Sequence, residues 1–95
     1  MRNRIVEMNE VEARHWEVLS YCLRERRKKA GWTQEHLAAE AGLSTSEIQH
    51  IEHGRRHPTT GTQTRLCCAF GISHLELMAE VNRVAGEELL AVSGG

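Results

Sequence analysis

Proline and phenylalanine each occur once in these 95 residues, and no stretch alternates β-branched with polar side chains. That leaves little material for a sheet, and helix formers dominate the remainder. No run of 18 apolar residues exists, so no membrane-spanning helix is expected. No charged-then-apolar segment opens the chain as a secretory signal would, and the expectation is a soluble, cytoplasmic protein. The three cysteines are odd in number, with Cys67 and Cys68 adjacent and Cys22 distant, which is no disulfide framework. Cys67 is expected to point inward as a small hydrophobe. Internal repeats and low-complexity segments are also missing. A chain of this length makes one small domain, 1–95, with a core of about 16–84 and extensions at 1–15 and 85–95.

Catalytic constellations are lacking too. There is no nucleophile motif, no phosphate-binding glycine loop and no paired carboxylates with a cleft, so the chain does not read as an enzyme. His50, His53 and His57 are spaced poorly for a metal, because Gly54 breaks the helix before His57 and no nearby carboxylate or cysteine completes a tetrahedral set. Neither a metal nor another cofactor is expected. Excess charge is likewise absent, with a formal net value of −1. The charge is segregated, however. Residues 24–57 carry seven basic and five acidic groups, while the segments before and after are both net acidic.

Five helices are legible. The first starts near Val11 and runs to about Ala30, with Trp16, Leu19, Leu23 and Arg27 inward at i, i+3/i+4 spacing, and Gly31 ends it. Thr33 caps a second helix with Leu37, Ala38 and Ala41 inward. Ser44 and Glu47 form a capping box for a third helix, to about His53. After Gly54 the segment GRRHP is a basic loop closed by Pro58. A fourth helix covers about Thr60 to Phe70, with Leu66, Cys67 and Phe70 inward. Ser73 and Glu76 make a second capping box for a fifth helix, which extends to about Val84. Gly86 is expected to interrupt it, leaving EELLAV as a short extra turn or a partner-dependent tail.

The segment TQEHLAAEAGLSTSEIQHIEHG, from Thr33 to Gly54, has helix-turn-helix spacing. Two helices crossing steeply need a small residue where they approach, which is Ala38. The turn needs a residue tolerant of positive φ, which is Gly42. Ile48 closes the inner wedge, with Leu37 and Ile51 as outer apolar anchors. Such a unit can lay its second helix in the DNA major groove.

Together with Leu23-Arg24, Arg27, GWTQEHLAAEAGLS, IQHIEHGRRHP and CAFGIS, this segment resembles the phage Cro and repressor-type helix-turn-helix family, over about Leu23 to Met78. The resemblance implies an all-α, compact five-helix bundle of lambda-repressor-like type, with N- and C-terminal extensions. It also implies a homodimer that binds double-stranded DNA at a pseudo-palindromic operator and regulates transcription. By resemblance, Arg27 pairs with Glu52 as a structural brace. A Glu beside Ile51 on an apolar face needs such a partner, and Arg offers a bidentate one. The chain departs from the family early in the fourth helix, where Thr60, Gln63 and Thr64 replace apolar residues. That start is expected to be looser, or turned toward phosphate.

Within this motif, Thr45, Ser46, Gln49 and His50 are the expected base-reading residues of a recognition helix at about 44–53. Thr and Ser contact several base edges, and Gln pairs bidentately with adenine. Glu47 is assigned to its cap rather than to cytosine. Gln34, His53, Arg55 and Arg56 are the expected phosphate-binding residues, Gln34 by resemblance to the family's phosphate-anchoring glutamine. The rest of the run Arg24 to Lys29 reads mostly as a charged, solvated face. A dimer surface is expected on the fifth helix, from Leu75, Met78, Val81, Val84 and Leu89, with the N-terminal extension as a possible addition. An alternative class is an antitoxin or partner-binding regulator, with a protein partner such as a toxin held by a terminal segment. A restriction–modification controller is a third reading within the DNA-binding class.

Overall fold

The computed structural model describes residues 4–93, with side chains described for 9–87. Five helices follow one another: α1 Arg4–Lys29, α2 Gln34–Ala41, α3 Thr45–Glu52, α4 Thr60–Phe70 and α5 His74–Ser93. No strand occurs among the described residues, and the all-α fold class stands as expected.

Local chemistry sets most helix boundaries. The Thr33 hydroxyl accepts from the His36 amide, and Ser44 and Glu47 close a reciprocal capping box at the start of α3. Thr59 caps α4, and the Ser73 hydroxyl accepts from the Glu76 amide at the start of α5. Gly42 ends α2 at φ +68°, its amide donating to the Ala38 and Ala39 carbonyls. That left-handed backbone favours glycine. A Cβ there would also stand 3.0 Å from an Arg65 guanidinium nitrogen, so α4 lies close over the turn.

These helices bury one core. Val18, Leu19, Cys22 and Leu23 of α1 meet Leu37, Ala38 and Ala41 of α2, Ile48 and Ile51 of α3, Leu66 and Cys67 of α4, and Leu77 and Val81 of α5. Ala38 is 3% exposed, and its size lets α2 and α3 approach. Trp32, in the α1–α2 connection, stacks on Phe70 at the end of α4, with ring centroids 5.6 Å apart. Cys67 is buried as expected, and burial foremost, then the neighbouring Cys68, pushes its thiol pKa up.

Four expectations need correction. Helix α1 begins at Arg4, not near Val11, because the chain from Arg4 onward has no breaker and continues the helix outward from the core. Helix α5 runs through Gly86 to Ser93 without interruption. Gly86 lacks a positive φ, and helix formers flank it on both sides. Val81 is 1% exposed and belongs to the core rather than to a surface. Gln63 is buried instead of loosening α4 or facing phosphate, since it shares the inward stripe of Leu66 and Cys67. Of the other proposed dimer residues, Leu75 is 78% exposed, Met78 and Val84 are half-buried, and the Leu89 side chain lies outside the described residues.

The continuity of α5 is testable. A Cβ at Gly86 would meet nothing within 4 Å. Gly86→Ala is therefore expected to stabilise the protein by about 0.5–1 kcal/mol, read as a higher urea midpoint. A lower midpoint would show that the helix needs glycine there.

Candidate nucleic-acid interface

The exposed face of α3 is held in place from behind. Arg27 of α1 reaches across to the last residue of α3. Its Nε donates to Glu52 Oε2 at 2.6 Å, and its Nη2 to Glu52 Oε1 at 3.0 Å. Its remaining nitrogen, Nη1, donates to the Trp32 carbonyl at 2.8 Å. The two side chains are 12% and 3% exposed. The hydrogen bond to Glu52 raises the Arg27 pKa further above its usual value, with burial opposing, so the guanidinium stays charged. Arg24 adds a second tie, its Nη1 donating to the Glu52 main-chain carbonyl at 2.9 Å. Helix α3 is thus pinned to α1 at its C-terminal end through both side chain and backbone.

Gln34 extends this network toward the surface. Its Nε2 donates to Glu52 Oε1 at 3.1 Å, and its Oε1 accepts from Gln49 Nε2 at 3.4 Å. A carboxylate only accepts, so it dictates which way the Gln34 amide points, and Gln49 follows. Three of the side chains singled out in the sequence, Gln34, Gln49 and Glu52, therefore form one chain of hydrogen bonds leading to Arg27. The sequence resemblance assigns Gln34 to phosphate. In this structure its amide hydrogens begin at the brace, while its location at the first turn of α2 stays beside the exposed face of α3.

On α3 itself, Ile48, Ile51 and Glu52 are buried. Ser46 and Gln49 are exposed, and Thr45 and His50 are half-buried, all on the other side of the helix. Glu47 is occupied by the cap, its Oε1 accepting from the Ser44 amide at 3.1 Å. His53 Nδ1 lies 2.8 Å from the Gln49 carbonyl. A carbonyl only accepts, so Nδ1 carries the proton, and Nε2 becomes a donor only in the imidazolium. Arg55 and Arg56 are exposed just past the helix end, and their guanidinium groups form no hydrogen bond or ion pair among the described residues. The result is a polar helix face of alcohols, an amide and an imidazole, with two free cations at its edge.

The histidines do not gather. Among the described residues, no group of three or more His, Cys, Asp or Glu is placed to hold a metal ion. His57 turns away from His50 and His53 to stack on Trp16.

A short helix crossing a second one, buried along one side and polar along the other, defines a helix-turn-helix unit of the DNA-binding kind. The chain belongs to the helix-turn-helix family of transcriptional regulators, in its Cro/repressor type, whose profile matches residues 23–77. Over 52 residues it is 42% identical to an uncharacterized HTH-type transcriptional regulator, y4dJ, of Sinorhizobium fredii, covering 55% of this chain and 68% of that one. It is 39% identical over 54 residues to an uncharacterized HTH-type transcriptional regulator of Methanothermobacter thermautotrophicus, covering 57% and 78%. Its fold is similar to that of the clp gene regulator ClgR from Corynebacterium glutamicum, with a TM-score of 0.75 at 23% identity over 83% of this chain and 84% of that one. It is also similar to the restriction–modification controller protein C.Esp1396I, with a TM-score of 0.68 at 22% identity over 73% and 88%. The family consists of regulators, not enzymes. No helix among the described residues is long and apolar enough to cross a membrane.

Sequence reasoning missed several contributors. By position in the basic run, Arg24 and Arg26 read as part of a charged face. Arg24 instead grips Glu52, and Arg26 Nη2 pairs with Glu80 Oε2 at 2.5 Å, joining α1 to α5. The missed stack of His57 on Trp16 joins residues 41 positions apart, and no local pattern encodes it. Gln63 did carry a signal, since its spacing from Leu66 and Cys67 placed it inward, but its polarity argued the other way.

The brace makes a sharp prediction. Arg27→Ala strands the Glu52 carboxylate in the core and is expected to cost about 3–5 kcal/mol in denaturant unfolding. Arg27→Met with Glu52→Leu removes both charges and is expected to recover most of that loss. A double variant as unstable as the sum of the singles would contradict the assignment.

Proposed function

We propose that this chain is a sequence-specific DNA-binding regulator that acts as a homodimer on a pseudo-palindromic operator. Each subunit places α3, residues 44–53 with its caps, in the major groove of one half-site, with half-sites about 10 bp apart. Thr45, Ser46, Gln49 and His50 read base edges. Gln49 is the sharpest reader, because its amide pairs bidentately with adenine. Arg55, Arg56 and His53 take phosphates beside the groove. Gln34 fits a phosphate through its place at the first turn of α2, where helix N–H groups point outward.

The observation that carries this reading is the division of α3. Its inner side is locked by Ile48, Ile51 and Glu52, while its outer side leaves the polar side chains of Thr45, Ser46, Gln49 and His50 at least partly exposed. Dimerisation is supported by two further features. One recognition helix without Arg or Lys, on a chain of net charge −1, supplies few contacts per subunit. Helix α5 also presents Leu75 at 78% exposure, with Met78 and Val84 half-buried, as apolar surface for a second copy.

Duplexes selected from a random pool by the full chain are expected to contain inverted half-sites, and sedimentation is expected to give a dimer on DNA. Gln49→Ala with His50→Ala is expected to abolish preference for the selected sequence over random duplex while the thermal melt stays unchanged. A double variant that still discriminates would mean that another face reads the DNA. Selection yielding no enriched sequence would count against the regulator and for the partner-binding alternative.

A further inference from the structure

The segment between α3 and α4 carries Arg55 and Arg56, and it is anchored at both ends. At its start, the Arg55 and Arg56 amides donate to the His50 carbonyl at 2.8 and 3.3 Å. At its end, the His57 imidazole lies flat on the Trp16 indole of α1, with centroids 4.4 Å apart and planes 10° from parallel. The His15 ring also meets Trp16, T-shaped, with centroids 5.2 Å apart and planes at 77°. One residue further, the Pro58 carbonyl accepts from Gln63 Nε2 at 3.1 Å, and Gln63 Oε1 lies 2.8 Å from His74 Nε2 at the start of α5. Because the carbonyl only accepts, the Gln63 oxygen must face His74, whose Nε2 then donates.

None of these contacts belongs to the crossing of α2 and α3. They hold a segment whose two guanidinium groups have no partner among the described residues. An exposed loop tip bearing two long cations is ordinarily mobile. Here the chain is fastened on either side of them.

We propose that Trp16 and His57 are positioning residues for DNA-backbone binding. Their stack orders the 53–58 segment in the free protein, so that Arg55 and Arg56 meet phosphates with little loss of chain entropy on binding. This rests on the DNA-binding reading above. His57 acts through the ring it lays on Trp16 and not through a phosphate contact of its own.

The test measures binding of the full chain to a short duplex of random sequence over a range of salt. Each phosphate contact contributes about 0.9 to the slope of log K against log salt, so Arg55→Ala with Arg56→Ala is expected to flatten it by about 1.8. His57→Ala leaves both arginines in place and, His57 being exposed, is expected to keep the fold by thermal melt. It is expected to weaken binding about three- to fivefold. It also lowers the backbone 1H–15N NOE of Arg55, Arg56 and His57 while α3 stays rigid. His57→Phe keeps a stacking ring without charge or hydrogen bond, and restores both readouts. Trp16→Leu, altering the stack from the other side, loses NOE at the same three residues. In the background lacking both arginines, His57→Ala has no further effect on affinity.

Two results would overturn the positioning role while leaving DNA binding intact. One is a His57→Phe variant as weak as His57→Ala, which would mean that the imidazole touches phosphate itself. The other is an equal loss from His57→Ala with and without the arginines. Absence of salt-dependent duplex binding by the unaltered protein would overturn the DNA-binding reading, and the inference would fall with it.

Discussion

The orientation of α3 depends on one buried ion pair, Arg27 with Glu52. Taking two charges out of water is costly, and such a pair contributes little net stability compared with apolar residues of the same volume. What it contributes is direction. Leucines and isoleucines in the core tolerate small slides, whereas a guanidinium fork on a carboxylate has one good geometry. Arg27 also holds the Trp32 carbonyl, and Arg24 holds the Glu52 carbonyl. The last turn of α3 and the connection before α2 are therefore referred to the same two arginines of α1. The outer face of α3 inherits its angle from that arrangement.

The brace does not stop at the core. Through Gln34 it reaches Gln49, so a residue proposed to read bases is bonded to one whose partner is the buried carboxylate. On the proposed reading, Gln49 enters the groove already oriented, and its bond to Gln34, at 3.4 Å, is weak enough to exchange for a base edge. Electrostatics act on a coarser scale. The net charge is near zero, yet Arg55 and Arg56 have no partner among the described residues at the edge of the exposed face, while Arg24, Arg26 and Arg27 are consumed in contacts between helices. The positive field beside that face thus comes from position and not from total charge.

How much was legible from the residues follows the range of the interactions. Capping at Thr33, Ser44 and Ser73 and the turn at Gly42 are decided within a few residues of chain, and each stands where the pattern put it. Helix α4 begins and ends at Thr60 and Phe70 as expected. The misreadings arose where a local rule met a tertiary one. Gly86 is a separate case with a local reason: glycine is a weak helix former, but helix formers flank it and α5 continues through it. Gln63 is polar, but Pro58 and His74 satisfy its amide inside the protein. Arg24 and Arg26 belong to a basic run, yet each finds an acceptor on a different helix.

The amino-acid sequence by itself determined the five helices, the tight turn at Gly42, the inward stripe of α2 and α3, and hence which side of α3 is left for a partner. These are properties of spacing and local hydrogen bonding, which neighbouring residues settle among themselves. Only the tertiary structure decided that Gln34 links Gln49 to Glu52, that His57 leaves the other histidines for Trp16, and that Val81 is core rather than surface. Those outcomes depend on which distant groups arrive within a few ångströms of one another. That is set by the packing of whole helices, and no window of sequence contains it.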